Sequence, residues 1–258
     1  MLVTVIPCLR DNYAYLLRAP GSREALIVDP SESEPVLREV AAQELRLVGI
    51  LCTHHHLDHV GGNEKLLAQL GELPVYGHTS DRGRIPGQNQ FLSDEQTFAA
   101  AGLMFQTLYI PGHTLGAVAY VGQGAVFTGD TLFAAGCGRL FEGTPEMMYQ
   151  SLNVRLGALP DETKVYCGHE YTAANLKFAA HVEPVNVAVQ EKARRVAELR
   201  DKGLPSMPST IGEERATNPF MRCSAADVVA HAADRLGDDR SPQAVLAAIR
   251  AEKDDFRG

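Results

Sequence analysis

LVGILCTHHHLDHVGG, residues 47–62, is the stretch that decides the fold. It opens as a short apolar run rich in β-branched residues and closes on four metal-ligand candidates within six positions: His54, His56, Asp58 and His59. Side chains alternate along an extended segment, so His54 and His56 point the same way and can share one ion. Asp58 and His59 come next on a turning backbone, where neighbouring side chains diverge toward a second ion. His55 faces away in this scheme and is expected to support or pack. Gly61-Gly62 frees the backbone to turn before the next helix.

Upstream, MLVTVIPCLRDN, NYAYLLRAP and EALIVDP are short apolar runs ending in turn residues, and they predict strands. A helix is expected from about Glu34 to Glu44. Downstream, GGNEKLLAQLG predicts a helix, while PVYGH, MFQTLYIPG, AVAYVGQG, AVFTGD and KVYCGHE predict strands. Gln123, flanked by Gly122 and Gly124, marks a hairpin turn. Thr144-Pro145 opens a helix as cap and first position, with Met148, Leu152, Leu156 and Leu159 at helical spacing.

Past Tyr171 the period changes. Val185, Val189, Ala193, Val196 and Leu199 form one amphipathic stripe, and Ser224 and Ser241-Pro242 are credible starts for two more helices. No strand pattern is evident there. Strands first and helices last predict an α+β chain: a β-rich catalytic domain over residues 1–172 and a small helical domain over 173–258.

Composition narrows the class. The chain has 258 residues, 45% of them apolar and 22% charged, with a net charge of −8. No apolar run approaches the ~20 residues that cross a bilayer. The N-terminus carries no signal-peptide pattern, so a cytoplasmic protein is expected. The five cysteines are scattered and contain no CxxC pair, which disfavours both a disulfide framework and a zinc knuckle. The acidic balance argues against nucleic-acid binding, and an anionic substrate needs a local basic patch.

Three more candidate donors stand where strands run out: His113 after IPGH, Asp130 ending AVFTGD, and His169 ending VYCGH. With the first cluster they make five histidines and two aspartates. Two ions with a shared carboxylate and a bridging water need about seven donors. Imidazole and carboxylate without thiolate suit Zn, Fe or Mn. His78, His181 and His231 fall outside these contexts and are expected on the surface or in packing.

This pattern resembles the metallo-β-lactamase superfamily, whose HxHxDH signature appears as His54 to His59, with His113, Asp130 and His169 after it in the same order. The resemblance implies an αββα sandwich with the site at the edge between two sheets. It extends to the glyoxalase II (hydroxyacylglutathione hydrolase) family through PGHT (111–114), GDTLF (129–133), CGRLFEGT (137–144), CGHEYT (167–172), NPFMR (218–222) and RAEKD (250–254). By that resemblance His54, His56 and His113 hold one divalent ion, Asp58, His59 and His169 hold a second, and Asp130 bridges. Arg139, Phe141, Tyr171, Arg250 and Lys253 would bind glutathione. Many relatives carry Tyr at the position of Phe141.

The implied reaction is hydrolysis of S-(2-hydroxyacyl)glutathione, chiefly S-D-lactoylglutathione, to glutathione and D-lactate, the second step of methylglyoxal detoxification. Asp58 and Asp130 are the catalytic carboxylates in this scheme, and a hydroxide held between the ions attacks the thioester. A thiol of pKa ~8.5 leaves readily as its anion, so no strong general acid is needed. Glutathione conjugates carry two carboxylates, which accounts for Arg139, Arg250 and Lys253 in an acidic chain. A monomer is expected, with no membrane or nucleic-acid partner. The rival readings are a lactonase- or lactamase-type hydrolase, a mononuclear iron persulfide dioxygenase, a nuclease, and a noncatalytic thioester-binding module.

Overall fold

The computed structural model describes residues 1–257. The chain forms two compact units, each assembled from more than one stretch. The first comprises Met1–Tyr109, Leu115–Gly129 and Tyr166–His169; the second comprises Ile110–Thr114, Asp130–Val165 and the chain from Glu170 onward.

In the first unit the elements run β1 (Leu2–Cys8), β2 (Asn12–Arg18), β3 (Glu24–Val28), α1 (Ser33–Ala42), β4 (Arg46–Leu51), α2 (Leu57–Val60), α3 (Asn63–Leu70), β5 (Val75–His78), β6 (Gln90–Leu92), β7 (Thr97–Ala100), β8 (Leu103–Tyr109), β9 (Val118–Gly122) and β10 (Ala125–Gly129). β1 to β6 form one sheet in sequence order, antiparallel through β3 and parallel from β3 to β6. β7 to β10 form an antiparallel run of a second sheet.

Alternation sorts the core. Ala25 and Ile27 of β3 pack toward α1 and α3 with Val36, Val40 and Leu66, while Leu26 and Val28 between them take the opposite face and are also fully buried. On that face Tyr15 meets Phe127 at 5.6 Å, Tyr76 stacks on Phe98 at 4.9 Å, and Tyr120 donates its hydroxyl to the Cys52 carbonyl at 2.8 Å. A sheet covered on both faces is why these strands look almost continuously apolar in the sequence. The expected hairpin closes with Gly122 paired to Ala125, and both loop residues, Gln123 and Gly124, adopt positive φ.

The second unit holds β11 (Leu132–Phe133), β12 (Gly136–Cys137), α4 (Pro145–Tyr149), the start of β13 (Lys164–Cys167), α5 (Thr172–Val182), α6 (Val187–Asp201), β14 (Ser209–Thr210), α7 (Ile211–Thr217), α8 (Ala226–Ala232) and α9 (Pro242–Asp255). Thr144 caps α4 by accepting from the Met147 amide, and the helix widens into a π turn over Gln150–Arg155 that keeps Met148, Leu152 and Leu156 buried. Ser241 caps α9 by accepting from Ala244.

Three details differ from the expectations set by the sequence. Val185 precedes α6 and is 73% exposed, because Asn186 caps the helix through the amides of Ala188 and Val189. Ser224 likewise stands before the α8 cap residue Ala225. β14 is a strand that the helical periodicity hides: Ser209 and Thr210 pair with Val165 and Lys164. No helix of the described residues is long and apolar enough to cross a membrane.

Candidate metal centre

β4 delivers its C-terminal end into Thr53–His59, and Asp29, at the end of the neighbouring β3, fixes the geometry of that turn. Asp29 is 2% exposed and takes a positive φ that an aspartate tolerates. Its carboxylate accepts from the Thr53 amide at 2.7 Å, from the Thr53 hydroxyl at 2.6 Å and from His59 Nδ1 at 3.1 Å. Since a carboxylate only accepts, Nδ1 of His59 carries the proton and Nε2 presents the ring's lone pair.

His169 is arranged the same way. Its Nδ1 lies 2.9 Å from Asp11 Oδ1, and its Nε2 lies 3.4 Å from Asp58 Oδ2. Asn12 donates through Nδ2 to the Asp58 carbonyl at 2.9 Å and to Asp58 Oδ2 at 3.2 Å, which aims that carboxylate. Ligand atoms of Asp58, His59 and His169 therefore lie within 4.8 Å of one another. His54 and His56 form a second pair, with Nε2 of the first 3.1 Å from Nδ1 of the other.

Three glycines enforce this approach. A side chain on Gly129, which has a φ of +50°, would meet Thr53 Oγ1 at 2.2 Å. Gly62 would meet the Pro30 carbonyl at 2.5 Å and Gly61 the Leu57 carbonyl at 2.7 Å. Both residues of the Gly61-Gly62 pair sit in the ordinary right-handed region, so close packing and not unusual dihedral freedom is what selects them. His55 turns to Asp81 at 3.2 Å and Arg84 at 2.6 Å, the supporting role expected of it.

In the second unit His113 is 4% exposed, its Nδ1 donates to the Arg139 carbonyl at 2.9 Å, and its Nε2 lies 3.6 Å from Asp130 Oδ2. Residues 137–144 wrap this histidine. The Phe141 amide bonds the His113 carbonyl at 3.2 Å, and Gly143 bonds Gly112 at 3.1 Å. A side chain on Gly138 would strike the Asp130 carbonyl at 2.0 Å.

Every site histidine whose Nδ1 has a carboxylate or carbonyl partner, namely His59, His113 and His169, presents Nε2 beside an aspartate oxygen. Buried imidazoles with fixed tautomers beside carboxylates are a donor set that fits divalent cations. Asp11, Asn12 and Asp29 were not among the residues expected from the sequence. Their only signal was position at or next to a strand end, which many structural polar residues share.

The expected substrate residues divide. Arg139, Phe141 and Arg250 line one concavity of about 420 Å³ together with Asp254. Arg139 and Phe141 are each about 62% exposed. Arg250 is buried: Nη1 donates to the Cys137 carbonyl at 2.8 Å and Nη2 to Asp254 at 3.1 Å. Its Nε has no hydrogen-bond partner among the described residues. Lys253 does not line that concavity. Its Nζ bonds the Ala174 carbonyl at 3.3 Å and lies over the rings of Phe178 and Phe256. Desolvation and the neighbouring Arg250 lower its pKa to about 8. Tyr171, half-exposed, packs edge-on to Phe133 at 5.4 Å.

Comparison with known proteins accords with this geometry. A family model described as the metallo-beta-lactamase superfamily matches residues 9–169, and one described as hydroxyacylglutathione hydrolase C-terminus matches residues 170–256. A protein of Synechococcus sp. (strain JA-2-3B'a(2-13)) named hydroxyacylglutathione hydrolase is 50% identical over 258 residues, covering 99% of this chain and 100% of its own length. Among solved structures, ETHE1 from Myxococcus xanthus is 27% identical with a TM-score of 0.67 and covers 98% of both chains. TTHA1623 in a di-iron-bound form is 28% identical with a TM-score of 0.59, covering 85% of this chain and all of its own. Full-length relatedness and a donor set built for divalent cations lead to one conclusion: the chain belongs to the hydroxyacylglutathione hydrolase family of the metallo-beta-lactamase superfamily.

Proposed function

We propose that the protein hydrolyses S-(2-hydroxyacyl)glutathione thioesters, S-D-lactoylglutathione above all, to glutathione and the 2-hydroxy acid. The observation that carries this is 50% identity, end to end, with a protein named for that activity. The divalent cations are two, with zinc as the native pair: His54, His56 and His113 would hold one, Asp58, His59 and His169 would hold the other, and Asp130 would serve as the ligand they share. The di-iron form of a related structure supports a count of two. When bound, such ions supply a water nucleophile near neutral pH and a Lewis acid for the carbonyl oxygen.

The chain's own residues do the rest. Asp29 and Asp11 hold the protons on Nδ1 of His59 and His169, which keeps Nε2 of each as a lone-pair donor. Asn12 fixes the rotamer of Asp58. Arg139, Phe141, Tyr171, Arg250 and Lys253 bind the glutathione moiety, whose carboxylates match the cations. Glutathione leaves as its thiolate, so the proton can be taken up in solution.

The two family models meet at residues 169 and 170, which supports a catalytic domain over 1–172 and a helical substrate-binding domain over 173–258. The five cysteines are all free and buried, in keeping with a reducing cytoplasmic setting, and the proposed substrate places the protein in methylglyoxal detoxification. The protein acts as a monomer in this reading. Persulfide dioxygenase and lactonase chemistries are disfavoured because the full-length relatives carry the hydrolase name.

The test is metal content per chain measured alongside hydrolysis of S-D-lactoylglutathione, with and without chelator, in the wild type and in Asp58→Ala. We expect two ions and full turnover in the wild type, and one ion with turnover reduced about a hundredfold or more in the variant. Full turnover with two ions bound in Asp58→Ala overturns the assignment.

A further inference from the structure

Outside the proposed catalytic donors, one group of side chains in the second unit has the chemistry of a metal site. His181 lies in the last turn of α5, His231 in the last turn of α8, and Glu252 near the end of α9. Nε2 of His181 is 3.0 Å from Glu252 Oε1, and Nε2 of His231 is 2.8 Å from Glu252 Oε2. The two imidazole rings meet edge to face at 5.0 Å. One donor atom from each of the three lies within 4.8 Å of the others.

These separations are close to what coordination demands. Ligands about 2.0–2.1 Å from a tetrahedral ion stand roughly 3.3 Å apart; the observed 2.8 and 3.0 Å, which run to the two different oxygens of Glu252, and the 4.8 Å bound on one donor atom from each residue bracket that value. Two features favour a cation there. α5 and α9 end within about a turn of the group, and helix C-termini carry partial negative charge, whereas α8 runs on into a 3-10 turn over Ala233–Arg235. Glu252 also lines an open concavity of about 490 Å³ with Arg235, Asp255, Phe256 and Arg257, which leaves room for water or an outside ligand in the remaining coordination positions.

The charges around the group point both ways. Arg235 donates through Nη2 to Glu252 Oε1 at 3.1 Å and competes with an ion for that oxygen. Its side chain is 47% exposed and has solvent to move into. Asp255 favours an ion and Arg257 opposes it.

We propose that His181, His231 and Glu252 form a solvent-accessible site for one divalent transition-metal ion, with Zn²⁺ the best fit to two imidazoles and one carboxylate. An ion there ties together the ends of α5, α8 and α9. It takes the place of the hydrogen bonds that now run from both imidazoles to one carboxylate, with each Nε2 becoming a lone-pair donor and each Nδ1 carrying the proton.

The experiment is a calorimetric titration of the metal-loaded enzyme with Zn²⁺ in the wild type and in His181→Gln, His231→Gln and Arg235→Ala. The expected result is one further equivalent in the wild type. Either histidine substitution weakens it about tenfold or more, the scale on which even the supporting partners of a metal ligand act. Arg235→Ala tightens it, and thioester hydrolysis without added Zn²⁺ stays at the wild-type level in all three. Added Zn²⁺ should also raise the unfolding temperature of the wild type and not of His181→Gln. His181 is 46% exposed, so that variant remains informative even if His231→Gln is damaged. A group that is only a hydrogen-bonded clasp takes up no further equivalent. That outcome, or an equivalent retained at full affinity in His181→Gln, overturns the proposal.

Discussion

Asp29 shows how much a single carboxylate can organise. It receives the Thr53 amide, the Thr53 hydroxyl and the His59 ring proton, so the start of the ligand turn and one ligand tautomer depend on the same two oxygens. Asp29→Asn keeps the size but puts donors where two donors already point. We expect bound metal affinity and turnover to fall about 10- to 100-fold, the usual scale for partners behind a metal ligand, with the fold intact by circular dichroism. Unchanged metal affinity would count against the tautomer argument. Lys253 gives a pH prediction. Its pKa is held down to about 8 by burial and by Arg250. The ammonium is present below that value and lost above it, so KM for an anionic thioester should rise as pH increases through about 8, with kcat little changed. Lys253→Arg, which stays charged, should flatten the rise. An identical KM profile in both proteins removes Lys253 from substrate binding. The proposed ligand residues were legible in the sequence because they cluster just past apolar runs and the chemistry of clustered His and Asp is narrow. Asp11, Asn12 and Asp29 were not, because an isolated polar residue at a strand end has many structural explanations.

At the scale of elements, the strands and main helices arise from periodicity, and the exceptions have physical causes. β14 is only two residues long and exists through its pairing with β13, so no local pattern announces it. The NPFMR stretch, which carries part of the family resemblance, proves to be a brace. Asn218 Nδ2 bonds the carbonyls of Phe133 and Gly136 across the β11–β12 hairpin, and Arg222 grips Glu183 through two nitrogens. Beside it, Lys192 is 3% exposed and bonds Glu214, Ser209 and Thr217, while Glu214 also accepts from the Ala135 amide. Lys192→Met removes one partner and leaves a buried carboxylate without its counter-charge. Such a loss costs about 3–5 kcal/mol, so urea unfolding should show a large drop in midpoint with little change in slope. A loss below about 1 kcal/mol would mean that solvent reaches Glu214 more freely than its burial suggests.

For the whole molecule, metal and stability are linked, because donors from stretches far apart in sequence converge only in the folded state. Free ion at about a thousand times its dissociation constant adds roughly 4 kcal/mol to the folded side. Chelation should therefore lower the unfolding temperature and abolish turnover together, and readdition of Zn²⁺ should restore both. Activity that survives complete metal removal would refute the proposed chemistry. The acidic balance was legible from composition, and Arg139, Arg250 and Lys253 were singled out by the family resemblance, whereas the burial of Arg250 was not legible, since helical spacing alone does not say what covers a face. The return of residues Tyr166–His169 into the first unit has a consequence for biosynthesis. Asp58 and His59 leave the ribosome early, but their partner His169 is synthesised more than a hundred residues later. A nascent chain thus exposes half of the proposed ligand set throughout that interval, and that trio of side chains can come together only once about two-thirds of the polypeptide has emerged.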